Sequence, residues 1–71
     1  MWTVYWSRNR LDDERLWKSD TGISTETKAV AVTKAMLLKG WIVYAIVQKG
    51  RSVWSEARIS ERLGKPSIGQ L

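Results

Sequence analysis

The stretch WIVYAIVQKGRSVW, residues 41–54, folds back on itself. Trp41 and the six residues after it are all apolar, which is the pattern of a central strand covered on both sides. Gln48-Lys49-Gly50-Arg51 then has the form of a two-residue hairpin loop, because glycine tolerates the positive φ that such loops demand. With Lys49 and Gly50 as the loop, Gln48 pairs with Arg51, Ile46 with Val53, and Ala45 with Trp54. Strict alternation puts Trp41, Val43, Ala45, Val47 and Trp54 on one face. Ile42, Tyr44, Ile46 and Val53 line the other. The first face carries small residues suited to lie beneath a helix. The second has no helix of comparable length to cover it, so it is expected to be contact surface.

Upstream of the hairpin, SerThrGlu at 24–26 gives a helix start, with Ser24 as the N-cap and Glu26 in the first turn. The spacing predicts a helix over 25–39 that stops at Gly40, a residue suited to the left-handed C′ position. Its narrow apolar stripe is Ala29, Val32, Ala35 and Met36, flanked by Val30 and Leu37, and Leu38 falls on the far side. WTVYWS, residues 2–7, alternates as a strand, with Trp2, Val4 and Trp6 on one face. RLWKS, residues 15–19, is expected to be a shorter second strand. The competing reading is a helical turn through DDERLW, where Asp12, Asp13 and Glu14 would suit a helix N-terminus. SDTGIS, residues 19–24, is expected to be a loop.

After Trp54 the sequence turns polar. Ser55 is placed to cap a short helix over 56–63 carrying Ile59 and Leu63, ended by Gly64 and Pro66. A frayed tail is expected from Lys65 onward. The whole is an α+β fold: a small antiparallel sheet in ββαββ chain order, of meander type, with one helix across one face. The expected division is a single domain over 1–58 and a short helix or flexible basic tail over 59–71.

Composition bounds the chemistry. The chain has 71 residues, no cysteine and no histidine. That removes thiolate chemistry, the commonest general base and the commonest metal ligand. Asp12 and Asp13 are adjacent and would point apart in an extended chain, and DDE followed by Arg15 is not a calcium-loop spacing. No enzyme, cofactor or metal is expected. No apolar run approaches the roughly 20 residues of a membrane span, and the first ten residues lack the pattern of a secretory signal. A cytoplasmic protein is expected.

Twelve Lys and Arg against seven Asp and Glu give a net charge of +5. The positive charges are dispersed rather than blocked, so no disordered basic arm is indicated. An acidic partner is expected, either a protein surface or a nucleic acid. The partner-binding candidates are Tyr44, Lys49, Arg51 and Trp54 around the hairpin, Arg8, Arg10 and Arg15 upstream, and Arg58, Arg62 and Lys65 downstream. A basic and aromatic sheet face with Tyr5, Tyr44 and Trp54 has the chemistry of a base-stacking platform. The aromatic-and-glycine signature of the common sheet-based RNA-binding module is missing.

EARISERLGKPSIGQL, residues 56–71, resembles the first half of a helix-turn-helix, although the recognition helix does not follow. In size and composition the chain resembles small phage-encoded regulators that dock on a host machine such as RNA polymerase. No motif carries that resemblance, so it transfers no residue. It implies a mechanism by occlusion, in which a charged, aromatic surface covers a site on a partner. A homodimer would cover the second sheet face without any foreign partner.

Overall fold

The computed structural model describes residues 1–64. Four strands and two helices form an α+β fold: β1 (Trp2–Ser7), β2 (Lys18–Ile23), α1 (Glu26–Leu38), β3 (Ile42–Gln48), β4 (Arg51–Ser55) and α2 (Glu56–Ile59), the last continuing as a π-helical turn, Ser60–Gly64. The chain order is ββαββ, as expected. The spatial order is β2-β1-β3-β4, so the sheet is not a sequential meander. β1 is antiparallel to both β2 and β3, which makes those two mutually parallel with β1 between them. A parallel pair needs a crossover longer than a hairpin, and α1 supplies it.

The second strand lies further along than the sequence suggests. Residues 14–16 form a 3-10 turn, capped by Asp13 accepting from the Arg15 backbone N–H. The helical reading of DDERLW is thus realised as one turn, and the strand begins at Lys18. SDTGI, expected as a loop, is most of β2. It is an edge strand, exposed along almost its whole length, so nothing selects apolar residues there and the usual signal is absent.

α1 begins one residue later than expected. Thr25, not Ser24, is the cap, and its hydroxyl accepts from the Lys28 N–H at 3.2 Å. Gly40 ends the helix at φ +82°. The buried stripe is Ala29, Thr33 and Met36, while Ala35 is exposed. Thr33 is fully buried because its hydroxyl donates to the Ala29 carbonyl at 2.9 Å and so satisfies itself within the helix. Leu38 stands 89 % exposed.

The hairpin turns at Lys49 and Gly50, with φ of +52° and +76°. Two positive φ values define the type I′ loop that matches strand twist. Gln48 pairs with Arg51 as expected. Beyond that the register slips: Ile46 faces Trp54 and Ala45 faces Ser55, leaving an extra residue in β4. A second bulge lies in β3, where Tyr5 faces Ala45 but Trp6 faces Val43, so Tyr44 is the extra residue. A third lies in β2, at Thr21 and Gly22, because Trp2 faces Ile23 and Val4 faces Asp20. Both edge strands therefore carry a bulge, a common protection against edge pairing.

The β3 bulge overturns the expected face assignment. Val43 and Ile46 are three residues apart, yet both are buried in the helix-covered core. Ala45 and Val47, expected beneath the helix, instead share a face with Thr3 and Tyr5. Trp54 does pack toward α1, and its indole N–H donates to Glu26 at 3.0 Å. The β4 slip is what brings it there, opposite Ile46.

The core is Trp2 and Val4 of β1, Ala29 and Met36 of α1, Val43 and Ile46 of β3, and Ile59 of α2. Ile59 is 1 % exposed, and Leu63 packs against the same cluster. The second helix is docked, so the expected boundary after Arg58 falls inside the packed unit. Ser55 caps it as expected, accepting from the Arg58 N–H at 3.2 Å. The tail expected from residue 65 lies outside the described residues.

Ile59→Ala is expected to lower unfolding free energy by about 2–5 kcal/mol, the range for large-to-small core substitutions, while Leu38→Ala stays within about 0.5 kcal/mol. Urea denaturation of the two variants checks the docking of α2.

Candidate functional site

The expected partner-binding residues do not form one surface. Lys49 and Arg51 are exposed at the hairpin end of the sheet. Arg58 is exposed with its guanidinium 4.6 Å from the Trp54 ring centroid, and Arg62 is exposed in the final turn. Lys65 lies outside the described residues. Arg10 pairs with Glu56 and sits 5.4 Å from the Tyr44 ring centroid. Both partners raise its pKa, the hydrogen bond to Glu56 first. Arg15 is held by Asp13, with Nη2 at 2.8 Å from Oδ2.

Tyr44 is not a surface residue. It is 4 % exposed, and its ring stacks on Trp17 at 3.8 Å between centroids. Its hydroxyl lies 3.0 Å from the Leu11 N–H and 2.7 Å from Ser7 Oγ. Ser7 Oγ in turn donates to the Asn9 carbonyl. One proton arrangement satisfies all three contacts: Leu11 N–H to Tyr44 Oη, Tyr44 O–H to Ser7 Oγ, Ser7 O–H to Asn9 O. The Trp17 indole N–H donates to the Leu11 carbonyl at 3.3 Å, so both backbone groups of Leu11 are met by the stacked pair. Tyr44 is the framework that holds the loop between β1 and the 3-10 turn.

The densest concentration of charge and aromatic surface is at the opposite end of the sheet from the hairpin. There Trp6 of β1 stacks on Trp41, the residue before β3, at 4.6 Å and 12° between planes. Three cations converge on this pair. Arg8 Cζ is 5.5 Å and Lys39 Nζ 4.6 Å from the Trp41 centroid, and Lys18 Nζ is 5.9 Å from that of Trp6. Each is placed by an identifiable element of the fold. Arg8 follows directly on β1. Lys18 pairs with Trp6 across β1 and β2. Lys39 is the C-cap of α1, and the chain turns back there so that the Trp41 N–H reaches the Met36 carbonyl at 3.1 Å.

All three cations are exposed, and neither ion pair found among the described residues involves them. The Trp6 indole N–H is buried with no acceptor among the described residues. This end of the molecule therefore presents three cations that no carboxylate pairs among the described residues. A cation over an indole face gains about 0.5–1 kcal/mol at an exposed site, which orders a long side chain without neutralising it. Of the five residues, only Arg8 is a sequence-level candidate. Trp41, expected on the helix-covered face, and Trp6, expected on one face with Trp2 and Val4, are half-buried and pack against the core. Lys18 and Lys39 are anonymous in the sequence, since the strand pairing that places Lys18 and the helix stop that places Lys39 act across long separations.

Shallow grooves flank these features. One of about 210 Å³ lies beneath the Arg10–Glu56 pair, walled by Leu37, Trp41, Ile42, Val43 and Ile59. Another of about 420 Å³ runs between the first half of α1 and Trp54. A third, of about 280 Å³, lies on the uncovered sheet face between Tyr5, Glu14, Trp17, Ala45 and Val47. Among the described residues no group of three carboxylate, imidazole or thiol side chains converges to hold a metal ion, and no helix is long and apolar enough to cross a membrane.

Tyr44→Phe is expected to cost about 1–3 kcal/mol, the penalty for stranding a buried donor, and to speed amide exchange at Leu11; proton-exchange NMR reads the second effect directly. Asp13 supplies a pH check. Its carboxyl is held below the usual range, first by the Arg15 side chain and then by the Arg15 backbone N–H. A depressed carboxyl contributes stability above its unfolded value and loses it as pH falls through the folded value. Arg15→Gln should move the Asp13 titration, followed by carboxyl-carbon NMR, upward. A titration indifferent to Arg15 would contradict the pairing.

Comparison of the chain with family models, with curated proteins and with solved structures gives no match.

Proposed function

We propose that this protein is a non-enzymatic binding module that docks on an acidic surface of a protein partner and acts by covering it. The observation that carries the reading is the convergence of Arg8, Lys18 and Lys39 on the Trp6–Trp41 stack. The complement of a cationic patch is an anionic one. Cations already ordered over indole rings lose less side-chain entropy on binding than free ones. Trp and Arg are also the residue types that recur at energetic hot spots. The absence of histidine and cysteine supports the non-enzymatic half of the proposal. A cytoplasmic setting and a partner in the transcription machinery such as RNA polymerase belong to the same proposal, resting on the resemblance in size and composition to phage regulators.

An acidic protein surface is favoured over single-stranded nucleic acid by the state of the aromatic rings. A stacking platform needs open ring faces. Tyr44 is sandwiched by Trp17 and buried, Trp41 and Trp6 stack on one another, and Trp54 lies under Arg58. These rings support cations and leave little open for bases, and Tyr5, the remaining residue of the expected platform, stands apart from Trp54 on the sheet face away from α1.

The test is a titration of intrinsic tryptophan fluorescence with a polyglutamate peptide and, separately, with a single-stranded oligonucleotide of equal charge. The peptide is expected to bind, more weakly as salt rises. The triple variant Arg8→Gln, Lys18→Gln, Lys39→Gln should lose about tenfold in affinity, from about 0.5 kcal/mol per rim charge. Tighter binding of the oligonucleotide than of the peptide, lost in the same variant, would transfer the patch to nucleic acid.

A further inference from the structure

We infer that the groove beneath the Arg10–Glu56 pair receives one apolar anchor side chain of the acidic partner, which rests on the acidic-surface reading and narrows it: the partner is an acidic segment with a large apolar residue set among its carboxylates. The groove is walled by Leu37, Trp41, Ile42, Val43 and Ile59, and Ser60 lines it too. Val43 and Ile59 are core residues, but Leu37, Trp41 and Ile42 are only half-buried. Apolar surface left facing water around one depression is surface that a partner gains by covering. At about 210 Å³ the groove is smaller than the roughly 300–1,000 Å³ of sites that enclose a drug-sized molecule. It suits a single side chain.

The charges around the groove select its occupant. Arg10 and Glu56 line it but answer one another. Trp41, another wall, carries Arg8 Cζ and Lys39 Nζ at 5.5 and 4.6 Å from its ring centroid, and neither cation has a carboxylate partner among the described residues. The groove and the cationic patch thus share an indole. The charge left over at this border is positive, so an anchor flanked by Asp or Glu is attracted and one flanked by Lys or Arg is repelled. An extended segment puts residues i and i+2 on the same side, about 6.6 Å apart. A carboxylate two positions from the anchor therefore spans the indole and meets the cations while the anchor lies against Leu37 and Ile42.

The two halves of the contact do different work. Exposed charge pairs contribute little and weaken with salt. They bring any polyanion to the patch and discriminate poorly among polyanions. A large apolar side chain seated in a pocket with a polar rim is the usual energetic centre of an interface. The groove beside Trp41 supplies that centre, and an acidic segment without an anchor leaves it empty. Specificity for one acidic partner over another thus lies in the groove, and attraction to acidic partners as a class lies in the cations.

The test titrates the full chain with two polyglutamate peptides of equal length, one with a central phenylalanine and one with serine in its place. Tryptophan fluorescence reads affinity, and methyl NMR of Ile42 and Ile59 reads location. The phenylalanine peptide is expected to bind about tenfold tighter, from partial burial of one large side chain, and to shift the Ile42 and Ile59 methyls, which the serine peptide leaves in place. Both affinities fall as salt rises, but their ratio holds, because the two peptides carry the same charge. Ser60→Trp, which fills the groove, and Ile42→Thr, which makes its wall polar, should each remove most of the phenylalanine advantage and leave the serine peptide's affinity unchanged, with circular dichroism confirming the fold. Equal affinity for the two peptides overturns the anchor site and leaves the acidic-surface reading standing. Binding of neither overturns both. An advantage that survives Ser60→Trp and Ile42→Thr puts the anchor elsewhere and overturns the site as well. So does an advantage that appears only in the double variant Ile68→Ser, Leu71→Ser, since the groove then belongs to the chain's own C-terminal residues.

Discussion

The extra residue at Tyr44 is the constraint on which the rest of the structure depends. A regular strand sends alternate side chains to opposite faces. β3 pairs with both β1 and β4 and must feed a core on one side only. By letting Tyr44 drop out of the ladder, the strand places Val43 and Ile46 together under α1, three positions apart. The same irregularity frees Tyr44 to reach Ser7, Leu11 and Trp17. One bulge thus sets the phase of the core and anchors the loop that leads from β1 to β2. Without it, Tyr44 would pair with Trp6 on the core side, Val43 would turn to the opposite face, and the loop would have no hydroxyl to bind its backbone.

A chain of this size buries a small fraction of its surface and has little stability to spare. The tryptophans answer that shortage in an unusual way. Only Trp2 counts as buried; Trp6, Trp17, Trp41 and Trp54 are half-buried at the margins. Each is capped by something other than an aliphatic side chain: Trp17 by Tyr44, Trp54 by Arg58, and Trp6 and Trp41 by one another and by cations. The aliphatic stems of Lys and Arg cover apolar surface while their charged heads stay in water. The core is in effect extended outward through indoles roofed by basic side chains. Positive charge on this protein is therefore partly a packing material, which is why it is dense where the tryptophans are.

The parts of the fold legible in the sequence are those fixed by local chemistry. Lys49-Gly50 specifies its turn, Gly40 ends α1, Ser55 starts α2, and the alternation of Trp2, Val4 and Trp6 fixes β1. What was illegible depends on partners distant in the chain. The three bulges leave no mark of their own, since an extra residue in a ladder is defined only by the strand opposite. β2 was hidden because an exposed edge strand needs no apolar side chains. Thr33 was hidden because its hydroxyl is satisfied by the helix itself. At the candidate site, Arg8 stood out beside an aromatic strand. Lys18 and Lys39 did not, because they reach the Trp6–Trp41 pair only through the β1–β2 ladder and the end of α1.

The distribution of charge follows from the same topology. The crossover through α1 returns the chain beside β1, so the end of the helix, the end of β1 and the start of β2 meet at one end of the sheet. Lys39, Arg8 and Lys18 mark those three points. Exposed cations this close repel one another, and a fold under no other demand would separate them or pair them with acids. Elsewhere the chain does so: Arg10 has Glu56 and Arg15 has Asp13. At the stacked tryptophans no carboxylate pairs with the cations among the described residues, and the indole faces take that place. An indole attracts a cation without cancelling its field, whereas a carboxylate does both. The patch is thus held together yet left electrostatically unsatisfied, the state in which an external anionic surface has the most to gain by approaching it.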